Sequence, residues 1–467
     1  MSFYIYDITF LAVFVAILVV FFFLKRKNFK WEGILLLYRT RIGVELIDRI
    51  AKKYNKQLNW MRYVVTTFGI LLMAAGTILI FQLAYYFIKF PEIVKVVKIP
   101  PLMPLIPYLP NIFNTTYLPP FYFTYWIIAI ACIAIFHEAA HGIFARYAKI
   151  KVKSTGFGFL GPFLAAFVEP DEKSMQKKDS FNQMSILAAG SFSNLILAII
   201  FFLLLVGFFF MMFSQAGVMF NTYSYSYINT SYIETINGKN ISDFDFNQNA
   251  TMFNITVGGG MYHFATTNIS ALKVTPIIRA YDDAPAYNAK LTGVIVKIDE
   301  NKITNYNSLR DALGKYSPGN DVIIETYDEN KKELKKYNLT LGTSMLDSSK
   351  AIIGIGLEEA EAKGFLRKFY KWVGSFKEFG IYYEPKFAGD FAWFIYNLLW
   401  WLALINISVA LFNMLPLGIF DGGRFFYLGI FEITKNKKIA EKSFKFVTYL
   451  FLLVFILLMA FWFIGYF

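Results

Sequence analysis

Six long apolar runs punctuate the chain: Phe3–Leu24, Tyr63–Phe90, Phe121–Ala148, Met184–Phe213, Phe391–Pro416 and Phe446–Phe463. About 20 apolar residues on a helix cross roughly 30 Å of hydrocarbon, so each run predicts a membrane span. The first run is too long for the apolar core of a signal peptide and lacks a small-residue cleavage site, so it is kept as a span. Pro91–Pro120 is proline-rich and predicts an irregular loop. The stretch from Gly156 to Pro170 is apolar but broken by Gly158, Gly161 and Pro162. It reads as a hairpin dipping into the membrane, tolerable only where protein covers its backbone. Between the fourth and fifth runs the pattern changes: residues 221–363 are polar, with short strand-like alternation. Lys363–Lys386 sets aromatic residues among Arg367, Lys368, Lys371 and Lys377, which predicts an amphipathic helix lying at the outer interface. The chain thus divides into 1–120, 121–213, 221–363, 364–390 and 391–467.

Charge orients these spans. Lys25–Arg62 is rich in lysine and arginine with few acids, which marks it as cytoplasmic and places the N-terminus outside. Counting spans onward puts the 221–363 region and both termini outside. Asn-x-Ser/Thr sequons agree: Asn114, Asn229, Asn240, Asn249, Asn254, Asn268 and Asn338 all fall in segments assigned to the outside, and the exception, Asn406, lies within an apolar run. Composition supports a multi-pass protein of the cell membrane in contact with the lipid bilayer: 56% hydrophobic residues, 52 Phe and 30 Tyr. The net charge of +13 clusters beside the apolar runs, so anionic lipid and orientation account for it, and no nucleic-acid partner is expected. One cysteine, Cys132, excludes an internal disulfide and reads as a small core residue.

The polar region contains an internal echo, in which residues 233–244 match 295–306 without a gap. It suggests two similar β units, 222–280 and 281–343. The second is clearer: Ala284-Pro285-Ala286, a strand at 293–299, a helix at 308–316, a turn at Pro318-Gly319 and a strand at 321–327. That order resembles a PDZ domain, which binds an extended chain at a sheet edge. The fold expected is an α-helical polytopic membrane protein of about six transmembrane helices, with an extracytoplasmic α/β PDZ-like domain between spans four and five.

The third span carries Phe136-His-Glu-Ala-Ala-His-Gly142. His137 and His141 are four apart and share one helix face. Two such imidazoles hold one zinc, and Glu138 beside them takes a proton from a water. The competing reading is a pair of core histidines. Three ionisable groups in an apolar helix are costly, however, roughly 2.5–3.5 kcal/mol for a charge at mid-bilayer, and a shared metal relieves that cost. The chain has three histidines; the third, His263, reads as a surface residue. The third and fifth spans run in the same direction, so Asp421, at the end of the fifth apolar helix, arrives at the depth of His137 and His141, near the cytoplasmic side. Three protein ligands leave a position for water, as in catalytic zinc sites. Alone, Asp421-Gly422 would read as a turn.

These residues resemble the site-2 protease family of intramembrane zinc metalloproteases. Its HExxH corresponds to His137, Glu138 and His141; its Asn-x-x-Pro-x-x-x-x-Asp-Gly corresponds to Asn413, Pro416, Asp421 and Gly422. A Gly and an Asn in the helix after the metal helix correspond to Gly190 and Asn194. Ser191 replaces the family's proline after that glycine, and Ile419 stands where many relatives carry a proline. The core resemblance covers roughly 121–213 and 391–431; the PDZ-like insert is also a family feature, and the first two spans are additions. The resemblance implies Zn2+ as cofactor, with His137, His141 and Asp421 as ligands and Glu138 as the catalytic residue. Asn194 and Asn413 are candidates for oxyanion stabilisation or structural support. It implies hydrolysis of a peptide bond in or near the transmembrane segment of single-span membrane protein substrates. The alternative is a catalytically inactive, membrane-anchored PDZ-type binding protein, against which the retained Glu138 argues.

Overall fold

The computed structural model describes residues 3–33, 35–90, 100–112, 118–160, 163–246, 251–266, 269–329, 331–344, 347–358 and 374–466. The chain forms two compact units: Met1–Phe209 with Asp390–Phe467, and Phe210–Gly389.

The first unit is built on α1 (Phe3–Lys25), α2 (Val44–Lys53), α3 (Asn55–Lys89), α4 (Phe123–Tyr147), α5 (Ser180–Met212), α6 (Gly389–Asn413), α7 (Asp421–Thr434) and α8 (Lys437–Tyr466). Six of them, all but α2 and α7, are long and apolar enough to cross a membrane. Two details differ from the sequence reading. The last span starts earlier than Phe446: its helix, α8, begins at Lys437 and takes in most of the basic residues before the apolar run. And Asp421 is not at the end of the fifth span. That helix stops at Asn413, and Asp421 opens α7.

The hairpin expected at 156–170 forms, as β3 (Val152–Leu160) and β4 (Phe163–Pro170), but it does not stand alone. It continues a sheet of order β1-β2-β3-β4, with β1 (Phe29–Glu32) and β2 (Leu35–Thr40) drawn from the segment read only as a basic stretch. The covering protein that a buried hairpin backbone requires is therefore partly another hairpin. Arg39 on β2 donates to Glu169 on β4 across β3, at 3.1 Å. The Ser154 hydroxyl donates to the same carboxylate at 2.6 Å, and these bonds hold the Glu169 carboxyl below its ordinary range.

Helix α4 begins without a cap of its own. Asp7 of α1, 1% exposed, supplies one from another span. Its carboxylate accepts from the backbone N–H of Phe123 (2.8 Å) and Thr124 (2.9 Å), and from the hydroxyls of Thr124 and Tyr108. A carboxylate here meets both the orphan amides and the positive end of the helix dipole. The described part of the Pro91–Pro120 loop packs onto the same place: Leu105 accepts from the Trp126 indole at 2.8 Å.

A buried core unites α2, α3, α4, α5, α6 and α7: Ala51, Leu58, Val65 and Leu72 meet Phe144, Ala145, Ile186–Ala189, Ala410, Phe425 and Leu428. A Cβ at Gly69 of α3 would press on Ala188 and Phe425, so α3 lies close against the helices around the motifs.

The second unit contains two six-stranded sheets with separate cores. The strands of these two sheets are β5 (Phe213–Val218), β6 (Tyr225–Asn229), β7 (Thr235–Ile236), β8 (Lys239–Asn240), β9 (Met252–Val257), β10 (Gly260–Ala265), β11 (Ile277–Asp282), β12 (Val294–Ile298), β13 (Asn301–Lys302), β14 (Asp321–Asp328), β15 (Glu333–Thr340) and β16 (Ile381–Pro385). One sheet runs β6-β11-β10-β9-β7-β8; the other runs β15-β14-β12-β5-β16, with β13 paired to β12. The second sheet is not confined to 281–343: it takes β5 from before and β16 from after. The segment 381–385 is therefore a strand and not part of an amphipathic helix, because its alternating residues pair with β5. Residues 363–373 of that expected helix lie outside the described ones. The sequence echo has a structural counterpart. Ile236 pairs with Lys239 and Ile298 with Asn301 in two short hairpins, each entering its turn through a positive φ, at Asn237 (49°) and Asp299 (48°).

Candidate metal centre

His137 and His141 project from one face of α4, as the four-residue spacing requires, with their Nε2 atoms 3.0 Å apart. Asp421 reaches them from the first turn of α7, its Oδ2 3.2 Å from His141 Nε2 and 3.5 Å from His137 Nε2. One ligand atom from each residue lies within 4.8 Å of the other two. A tetrahedral zinc with ligands near 2.0–2.1 Å sets neighbouring donors roughly 3.3 Å apart, so this spacing fits.

The outer contacts fix which nitrogens face inward. His141 Nδ1 donates to the Ile186 carbonyl at 2.7 Å, which leaves Nε2 as a bare acceptor. His137 Nδ1 lies 2.9 Å from the side-chain amide of Asn194, a residue that is fully buried. The atom at that distance is Asn194 Nδ2, while its buried Oδ1 has no partner among the described residues; turning the amide over satisfies the oxygen, which then accepts from a protonated Nδ1 and leaves the His137 Nε2 lone pair pointing inward. Two imidazole lone pairs and a carboxylate aimed at one point repel each other unless a cation joins them. The donor set therefore fits a divalent ion.

Two glycines make the approach possible. A Cβ at Gly190 of α5 would fall on both imidazoles. Its neighbours Ala188, Ala189 and Ser191 are small and buried, so α5 lies directly against the ligand face of α4. At Gly422 a Cβ would collide with the Met414 and Leu415 carbonyls. The turn of 414–420 folds back over the start of α7, tied by Leu417 N–H to Leu415 O (2.7 Å) and Phe420 N–H to Leu417 O (3.0 Å). That turn carries Asp421 back to the histidines.

Asn413, the last residue of α6, places its amide nitrogen 3.4 Å from His137 Nε2, on the side of the donors. Asn194 lies at the other end of the same imidazole. The two candidates for oxyanion stabilisation or support thus separate: Asn194 orients a ring, and Asn413 faces the centre. Glu138 is half-buried, and its Oε2 accepts the Val168 N–H at 3.0 Å, from β4. The sequence reading had no signal for this contact, because it pairs a side chain with a backbone amide 30 residues on. His263 proves buried rather than superficial: its ring stacks on Tyr287 at 4.2 Å and bonds to Asn254 at 2.8 Å.

Six apolar helices and a His-His-Asp cluster beside a glutamate define a multi-pass membrane protein of the metalloprotease class. A family model described as Peptidase family M50 matches residues 125–459. The chain belongs to that family, the site-2 proteases. No curated protein matches the chain.

Proposed function

We propose that this protein is an intramembrane zinc protease that hydrolyses a peptide bond in or near the transmembrane segment of single-span membrane proteins. The observation that carries the proposal is the convergence of His137, His141 and Asp421 from two helices on one point, with Glu138 adjoining. In this reading these three residues hold Zn2+, and the ion supplies Lewis acidity, making a water more acidic and polarising a carbonyl. Glu138 takes the proton of the attacking water and returns it to the departing amide nitrogen. The Val168 N–H keeps one carboxylate oxygen turned toward β4 and leaves the other for that transfer. Asn413 donates to the oxygen on which negative charge develops. Asn194 and the Ile186 carbonyl hold the imidazoles in place.

A substrate helix hides its backbone in internal hydrogen bonds, so it must unwind before cleavage. β4 is the outermost strand of its sheet, and Val168 brings its open edge to Glu138. We place the unwound substrate along that edge. Lysines at 149–153 and 435–445 support a centre near the cytoplasmic face, with the second unit, PDZ-like in function, on the outside as a substrate filter.

The test uses detergent-solubilised protein and a panel of tagged single-span substrates. Glu138→Gln keeps its zinc and loses cleavage by at least about 100-fold; Asp421→Ala loses both. Equal cleavage by Glu138→Gln and the unaltered protein overturns the proposal.

A further inference from the structure

Of the sequons in the second unit, Asn229, Asn240, Asn254 and Asn338 lie on described residues, and all four are exposed. Asn406, the sequon within α6, is fully buried. Three of the four exposed ones share a further property. Asn229 ends β6 and Asn240 ends β8, and these strands are the two edges of the first six-stranded sheet. Asn338 lies on β15, an edge of the second sheet. The remaining edge, β16, carries Glu384 and ends in Pro385, a charge and a residue that cannot donate to a further strand. The outermost strands of both sheet orders thus bear either a sequon or an intrinsic block; the two-residue β13, paired only to β12, lies off those orders. Asn254 sits on an inner strand with its oxygen engaged by His263 and plays no part here.

We infer that Asn229, Asn240 and Asn338 carry N-linked glycans, and that these cap the open sheet edges against pairing with a second copy. Among the described residues no hydrogen bond engages the side chain of Asn240 or Asn338. Asn229 Oδ1 accepts from the Ser231 backbone (3.0 Å) and hydroxyl (2.8 Å), which leaves its Nδ2 outward. The donor is a lipid-phosphate-linked oligosaccharide. The amide Nδ2 forms a bond to the sugar C1, the C1–O bond to phosphate breaks with its electron pair going to the phosphate, and the amide proton leaves to base. Such a modification belongs to the outer side of the membrane, where charge places this unit. A bulky hydrated sugar at an edge also prevents strand-on-strand association.

The experiment isolates the full-length protein from its native membranes and measures glycopeptide masses. Ser231→Ala, Ser242→Ala and Thr340→Ala remove each sequon while keeping the asparagine. Each is expected to remove one glycan mass increment, and Asn406→Gln none. The triple variant is expected to shift toward larger species on size exclusion in detergent. Peptides spanning Asn229, Asn240 and Asn338 at the mass of unmodified asparagine overturn the modification. A triple variant with the same elution as the glycosylated protein overturns the edge-capping role.

Discussion

At the scale of single residues, the centre depends as much on absent side chains as on present ones. Gly190 makes room for two imidazoles, and nothing larger fits without moving α5 away from α4. Gly190→Ala is therefore expected to lower zinc affinity about 10–100-fold and cleavage with it, while the far-UV helix signal stays unchanged; equilibrium dialysis against zinc buffers measures the first effect. The cluster itself was legible: two histidines at helical spacing share a face, and the co-directional third and fifth spans brought Asp421, which alone would read as a turn, to their depth. The glycine and Asn194 were noticed only as a family pattern. Their physical contribution, room for both imidazoles at Gly190 and a contact to His137 from Asn194, requires α5 to lie beside α4, and no local signal encodes that.

At the scale of elements, the six apolar runs predicted six helices to within a few residues at most ends, since hydrocarbon thickness fixes their length. What the pattern did not reveal were the strands β1 and β2. Phe29–Glu32 is too short to show a period, and the lysines around it dominated the reading. The sheet they complete forms between segments more than 100 residues apart, which local patterning does not report. The cap on α4 is of the same kind: Asp7 sits in an apolar run, and its partners are 116 and 117 positions on. Replacing it strands the buried Phe123 amide, the half-buried Thr124 amide and the Tyr108 hydroxyl. Asp7→Leu is expected to cost roughly 2 kcal/mol or more, seen as a lower midpoint of thermal unfolding in detergent with the zinc content of the folded fraction retained.

At the scale of the whole molecule, the hydrolysis we propose requires a substrate that gives up helical structure. Glycine or proline within a turn of the scissile bond is expected to raise the cleavage rate, and leucine or alanine at the same positions to lower it, in a single-turnover assay with reconstituted protein. Unchanged rates across such a series count against docking along β4. The division of the second unit into two sheets was only partly legible. The echo of 233–244 in 295–306 marked two hairpins correctly, but not that the second sheet is completed from both ends of the insert.

That last feature has a bearing on how such a chain could have been assembled. β5 and β16 are antiparallel neighbours, and Lys386 N–H bonds back to the Met212 carbonyl at 2.8 Å. The polypeptide therefore enters and leaves the module through one doorway. Replacing residues 213–385 with a short loop that joins the two paired ends is expected to leave the helical unit folded, with the His137–His141–Asp421 cluster intact, as measured by zinc content in detergent.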